Sequence, residues 1–119
     1  MDIKEIIVKQ REFFQSGATL SVKFRIASLK KLYAVVKQNE HDIADALKAE
    51  LGKSNFESFM CEIGMVLSEI SYMIKHVKKF ASKKRVRTPI AQFASSSYKK
   101  PTPYGNVLIM SPWNYPFLL

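Results

Sequence analysis

Ser111-Pro112-Trp113-Asn114-Tyr115-Pro116 is the stretch of this 119-residue chain that gathers side chains able to do chemistry. Two prolines bracket a tryptophan and an asparagine. Each proline fixes its own φ and pushes the residue before it out of the helical region, so Asn114 is held in a stiff segment. A neutral carboxamide held rigidly can donate a hydrogen bond to charge that develops on a substrate oxygen. Asparagine also suits a plain turn, where it bonds local backbone. On residue types alone both readings stand.

Asn114 needs an element to carry it. Upstream, Pro103-Tyr104-Gly105-Asn106 is a turn signal, followed by the unbroken apolar run Val107-Leu108-Ile109-Met110. Such a run suits a strand covered on both faces, as in a parallel sheet, and ligands in open α/β sheets bind beyond the carboxyl ends of strands. Pro116 can then open a helix, with Phe117-Leu118-Leu119 starting its buried face.

Other candidate groups read as structural. Cys61 falls mid-helix beside Met60 and Glu62, and a neighbouring carboxylate opposes thiolate formation. His41 and His76 have no partner at metal-ligand spacing, so no metal site is expected. The chain holds only 4 glycines, and neither G-x-G-x-x-G nor G-x-x-x-x-G-K-[ST] occurs.

Composition sets further bounds. An apolar share of 47% and a charged share of 24% are those of a globular protein, which argues against disorder. The net charge of +9 permits contact with nucleic acid or an anionic membrane without demanding it. A single cysteine excludes an internal disulfide framework and suits a reducing cytoplasm. No signal peptide is visible, and no apolar run approaches the roughly 20 residues that span a bilayer.

Three segments follow, at 1–82, 83–103 and 104–119. In the first, Asp2 can cap a helix over 2–15, and Ser16-Gly17-Ala18-Thr19 breaks it. A second helix starts near Ser21 and ends near Lys37, with Val22, Ile26, Leu29, Tyr33 and Val36 on one stripe. Asn39 can cap a third, whose acidic first turn complements the helix dipole and which stops at Gly52. Asn55 is then expected to cap the longest helix, 56–81, whose apolar residues from Phe56 to Phe80 read as core. In the second segment, Lys83-Lys84-Arg85-Val86-Arg87 is a basic cluster, and Ala94 to Lys100 is polar and partly β-capable. A small basic helical module binding nucleic acid or an anionic membrane is thus the alternative to an enzyme.

The string Pro103 to Leu119, PYGNVLIMSPWNYPFLL, resembles the entry to the cofactor domain of NAD(P)-dependent aldehyde dehydrogenases. The upstream chain from about Arg11, including Phe24-Arg25-Ile26, Leu51-Gly52-Lys53, Glu62-Ile63 and Glu69-Ile70, is similar to the class 3, fatty-aldehyde-type branch. The resemblance implies an α/β parent with a Rossmann-type cofactor domain, of which this segment is mostly α-helical with one or two strands near its C-terminal end. It implies that Asn114 donates to the oxyanion formed when a cysteine thiolate attacks the aldehyde. Met110, Ser111, Pro112, Trp113 and Asn114 would then lie against NAD or NADP. The implied partners are an aldehyde substrate, the remainder of the parent chain and a second copy in a homodimer, with the polar strand after residue 82 as an oligomer contact. The nucleophilic cysteine, phosphate-contacting lysine and general-base glutamate of the family all follow the Pro-Trp-Asn motif. The expectation is therefore a segment of a longer enzyme, inactive by itself.

Overall fold

The computed structural model describes residues 2–119. Helix α1 (Ile3–Gln15) opens at Asp2, whose carboxylate accepts from the Lys4 backbone N–H at 3.2 Å and so satisfies one donor that the helix leaves unpaired. It ends at Gly17, whose φ of 75° a side-chain-bearing residue adopts only at a cost. After one 3-10 turn, the Ser21 hydroxyl accepts from Phe24 N–H at 3.3 Å and starts α2 (Val22–Gln38). Helix α3 (Glu40–Leu51) closes on Gly52 in the left-handed region, as expected.

Two caps differ from the sequence reading. Asn39 makes no side-chain bond into α3; its amide donates to Val35 O at 2.7 Å and finishes α2 instead. Its backbone (φ −105°, ψ 21°) is not the extended conformation from which an N-cap side chain folds forward. The long helix is capped by Ser54, not Asn55, through a 3.2 Å bond from Glu57 N–H to the serine hydroxyl. Asn55 is already the first helical residue.

That long helix is three pieces: α4 (Asn55–Ser58), a π-helical turn over Phe59–Ile63, and α5 (Gly64–Phe80). The Gly64 N–H reaches back five residues to Phe59 O, the widened turn that defines a π bulge. A β-carbon on Gly64 would stand 2.8 Å from that carbonyl, so glycine is what lets the bulge close. Within the widened turn Glu62 and Ile63 are both buried, at 0% and 1% exposure.

The core lies where α2, α3 and α5 meet. Val36, Ala44, Ile63, Leu67 and Ile70 form it, with Leu29, Tyr33, Ile43, Val66, Ile74 and Phe117 packed around. Only part of the apolar stripe from Phe56 to Phe80 is used: Phe56, Phe59 and Met60 remain exposed. Helix α1 buries no residue, and is tied on by the Phe13 and Phe24 rings, 6.3 Å apart, and by the Asn106 amide donating to Ile7 O at 3.3 Å. The radius of gyration is 19.6 Å, against roughly 13–14 Å for a compact domain of this length.

Two strands form, both after residue 82. β1 (Lys84–Val86) pairs antiparallel with β2 (Ser97–Lys99) in the register Lys84↔Lys99, Arg85↔Tyr98, Val86↔Ser97. The basic cluster is thus built into a hairpin rather than a helix end, with Lys83 Nζ 4.5 Å above the Tyr98 ring. The apolar run Val107-Leu108-Ile109-Met110 is not one of the strands. It is extended and open, Ile109 at 82% exposure, because nothing among the described residues pairs with its backbone or covers its faces. No described helix is long and apolar enough to cross a membrane.

Candidate functional site: a turn held by a buried ion pair

The predicted site residues fall into two groups. Met110, Ser111 and Pro112 lie on an exposed approach outside helix and strand, and Trp113, at 87% exposure, opens the turn that follows. Trp113 begins a tight turn that continues through Leu118, and its last hydrogen bond, Leu119 N–H to Tyr115 O at 3.1 Å, has the four-residue spacing of a single helical turn. Pro116 stands inside this turn, and no helix forms over residues 113–119 as the sequence reading expected; Phe117 packs against the core.

What holds this turn lies far away in sequence. Lys53, one residue past the left-handed Gly52, donates to Asn114 O at 3.1 Å. The same ammonium pairs with Glu62 Oε1 and sits 4.2 Å over the Tyr115 ring, a cation–π arrangement. The other carboxylate oxygen of Glu62 accepts from two successive backbone donors, Phe117 N–H at 2.9 Å and Leu118 N–H at 3.2 Å. Neither N–H has a backbone partner in the turn, and a carboxylate satisfies such donors with charge-assisted bonds.

The electrostatics follow from the geometry. The hydrogen bond to Glu62 holds the Lys53 ammonium above its usual range, against the opposing effect of burial, with further help from the Glu62 charge and a smaller contribution from Glu57. For Glu62, burial pushes the carboxyl up, but the Lys53 bond and the Phe117 and Leu118 N–H groups together outweigh it and leave the group below the ordinary carboxylate value. Both groups are therefore charged at neutral pH.

Asn114 is held by its carbonyl, while its carboxamide makes no hydrogen bond to any described residue. It stands exposed at the lip of the turn, free to donate outward. Cys61 is half-buried in the π turn, one residue before Glu62. His41 does have a partner the sequence reading overlooked: Nδ1 lies 2.9 Å from Asp45 Oδ2, one helical turn on, with both side chains exposed. His76 Nδ1 bonds Tyr72 O at 2.7 Å, and its ring stacks on Tyr72. Among the described residues no three His, Cys, Asp or Glu side chains converge as metal ligands would.

Lys53 and Glu62 are the residues that sequence reasoning used only as scaffold. A signal was present: Glu62 stands one and two turns before Val66 and Ile70, a lone carboxylate in an apolar row. An acid there must be paired or neutralised.

Comparison with known proteins agrees with the motif. The chain matches the aldehyde dehydrogenase family over residues 1–119. It is 40% identical over 117 residues to a 4,4'-diaponeurosporen-aldehyde dehydrogenase of Staphylococcus aureus, covering 98% of this chain and 26% of that one. To the dimeric, NADP-preferring aldehyde dehydrogenase of Canis lupus familiaris it is 40% identical over 116 residues, 97% of this chain and 25% of the other. A solved structure of the substrate-bound state of Staphylococcus aureus AldH superposes with a TM-score of 0.90 at 41% identity, covering 98% of this chain and 26% of that one. The chain thus spans about a quarter of the length of these relatives. Sequence, fold and motif agree: this chain belongs to the aldehyde dehydrogenase family, with class 3 members among its relatives.

Proposed function

We propose that this chain serves the oxidation of aldehydes to carboxylic acids with NAD or NADP, and that Asn114 is its oxyanion donor. The observation that carries the reading is the split role of Asn114. Its backbone carbonyl is bonded to Lys53, while its carboxamide is exposed and unspent. A donor fixed before the reaction stabilises developing charge without reorganising at that moment.

In this reading a cysteine thiolate adds to the aldehyde carbon, and the carbonyl oxygen becomes an oxyanion against the Asn114 carboxamide. Loss of hydride leaves a thioester, which water hydrolyses to the acid. The thiolate comes from a residue other than Cys61, which lies in the π turn beside a buried carboxylate.

Met110, Ser111, Pro112 and Trp113 fit a dinucleotide. They are exposed, with a hydroxyl at Ser111 and apolar faces at Met110 and Trp113 on which a flat ring can lie. When bound, NAD(P) supplies the hydride acceptor. The open edges of the β1–β2 hairpin suit contact with a second copy, in keeping with the homodimer that the class 3 resemblance implies. The lone cysteine fits a cytoplasmic setting.

The test is formation of NAD(P)H from medium- and long-chain aldehydes by the complete open reading frame that encodes these residues, beside residues 1–119 alone. Turnover by the complete chain and none by 1–119 is expected. A complete chain that binds dinucleotide but oxidises no aldehyde refutes the proposal.

A further inference from the structure

Every side-chain hydrogen bond that ties residues 111–118 to the rest of the described chain ends on Lys53 or Glu62. The converse also holds. Apart from their bond to each other, both side chains spend their remaining hydrogen bonds on this turn, and the Lys53 ammonium adds the Tyr115 ring.

Stability alone does not call for such a pair. Taking two charges out of water carries a desolvation cost, and well-packed apolar residues of similar size often do as well or better. Glu62 is wholly buried and Lys53 is 8% exposed, so both carry that cost. What an ion pair provides that an apolar pair cannot is direction. The ammonium fixes the Asn114 carbonyl, hence the orientation of the peptide plane after it. The carboxylate fixes the N–H groups of Phe117 and Leu118 on the far side of the turn. With both ends pinned, the direction of the Asn114 side chain is set from the α3–α4 connection and the π turn and not from its own loop alone.

We propose that Lys53 and Glu62 are positioning residues for Asn114, forming a clasp from the α3–α4 turn and the π bulge that aims its carboxamide. The role assigned to Asn114 above is the reading on which this rests. Neither residue touches the substrate; each acts through the turn.

The experiment uses the complete chain and compares wild type with Lys53→Met/Glu62→Gln, which removes both charges together and leaves an amide oxygen for the Phe117 and Leu118 donors. Two readouts are taken. The first is amide hydrogen exchange in peptides covering 111–119, which needs no activity; exchange at least about tenfold faster in the variant is expected. Unchanged exchange overturns the clasp. The second is kcat per titrated active site, expected to fall roughly tenfold to hundredfold, the cost of a small misplacement of a reacting group. In an Asn114→Ala background the same double substitution should change kcat less than about threefold, because the group it aims is gone. An equal loss in both backgrounds assigns the pair a merely structural role. If Asn114→Ala leaves turnover intact, the oxyanion reading fails, while the exchange result still decides whether the clasp exists.

Discussion

Glu62 Oε2 lies 2.9 Å from the backbone nitrogen of Phe117, 55 residues later in the chain. This bond joins the helical part of the protein to the turn that carries Asn114. Its partner Lys53 reaches 61 residues to Asn114 O. The candidate site is therefore anchored on the π turn and on the short connection between α3 and α4, although Asn114 itself stands in a distant turn.

Acid and alkali should loosen this anchor in opposite ways. The folded carboxyl of Glu62 sits below its unfolded value of 4.5, so its contribution is present above that value and is lost as pH falls through the lower folded one. Lys53 is raised above 10.5, so its contribution is complete below 10.5 and lost as pH rises through the higher folded value. Thermal midpoints of wild type and Glu62→Gln, taken from acid to neutral pH, should differ by a constant amount at neutrality and converge in acid. A difference independent of pH down to about pH 2 would contradict the assignment of a depressed Glu62.

The cap assignments can be separated by single substitutions. Ser54→Ala should cost about 1 kcal/mol, because the Glu57 N–H loses its acceptor. Asn55→Ala should cost less than about 0.5 kcal/mol, since alanine is the better residue inside a helix. Denaturant midpoints on the complete chain check both. The reverse order would restore the sequence-based expectation.

Helix existence was legible and helix interiors were not. Asp2, Ser21 and Gly52 mark their ends because each solves a local backbone problem that the next few residues reveal. Asn39 misled for a related reason: the same amide can close the preceding helix or open the next, and its φ and ψ decide which. The π turn left no trace in the stripe from Phe56 to Phe80, because an extra residue in one turn is a tertiary compromise between Glu62 and the core. Val107 to Met110 was read from its apolar character as a covered strand, yet apolarity says only that a segment needs cover, not that its neighbours lie within the same 119 residues. Of the site, Asn114 was visible through its prolines. Lys53 was not, since a lysine after a glycine turn looks like any solvated cation until the carboxylate it meets is known.

Gly64→Ala tests the bulge. In a regular helix this change would stabilise by up to about 1 kcal/mol. Here the new β-carbon would stand 2.8 Å from Phe59 O, a backbone atom that cannot swing aside. A net loss of roughly 1–3 kcal/mol is expected. The exchange of the Phe117 and Leu118 amides should also rise, because loss of the bulge would turn Glu62 away. A stabilised variant with protected amides would mean that the widened turn does not hold the carboxylate in place.

Substitutions at Asn114 test the proposed oxyanion role directly. Asn114→Ala removes the donor and leaves the carbonyl that Lys53 holds, so the fold should be preserved while kcat in the complete chain falls roughly 10²–10³-fold. Asn114→Asp should do no better, for a carboxylate cannot donate and its charge repels the oxyanion. It would also stand near the Lys53–Glu62 pair, whose charges already balance, so nothing there neutralises it. Protonation of the new acid would restore a donor. The aspartate variant should accordingly regain part of its activity as pH falls toward the carboxylate range, whereas the alanine variant should not. Parallel pH profiles for the two variants would show that hydrogen-bond donation at this position is not what the reaction uses.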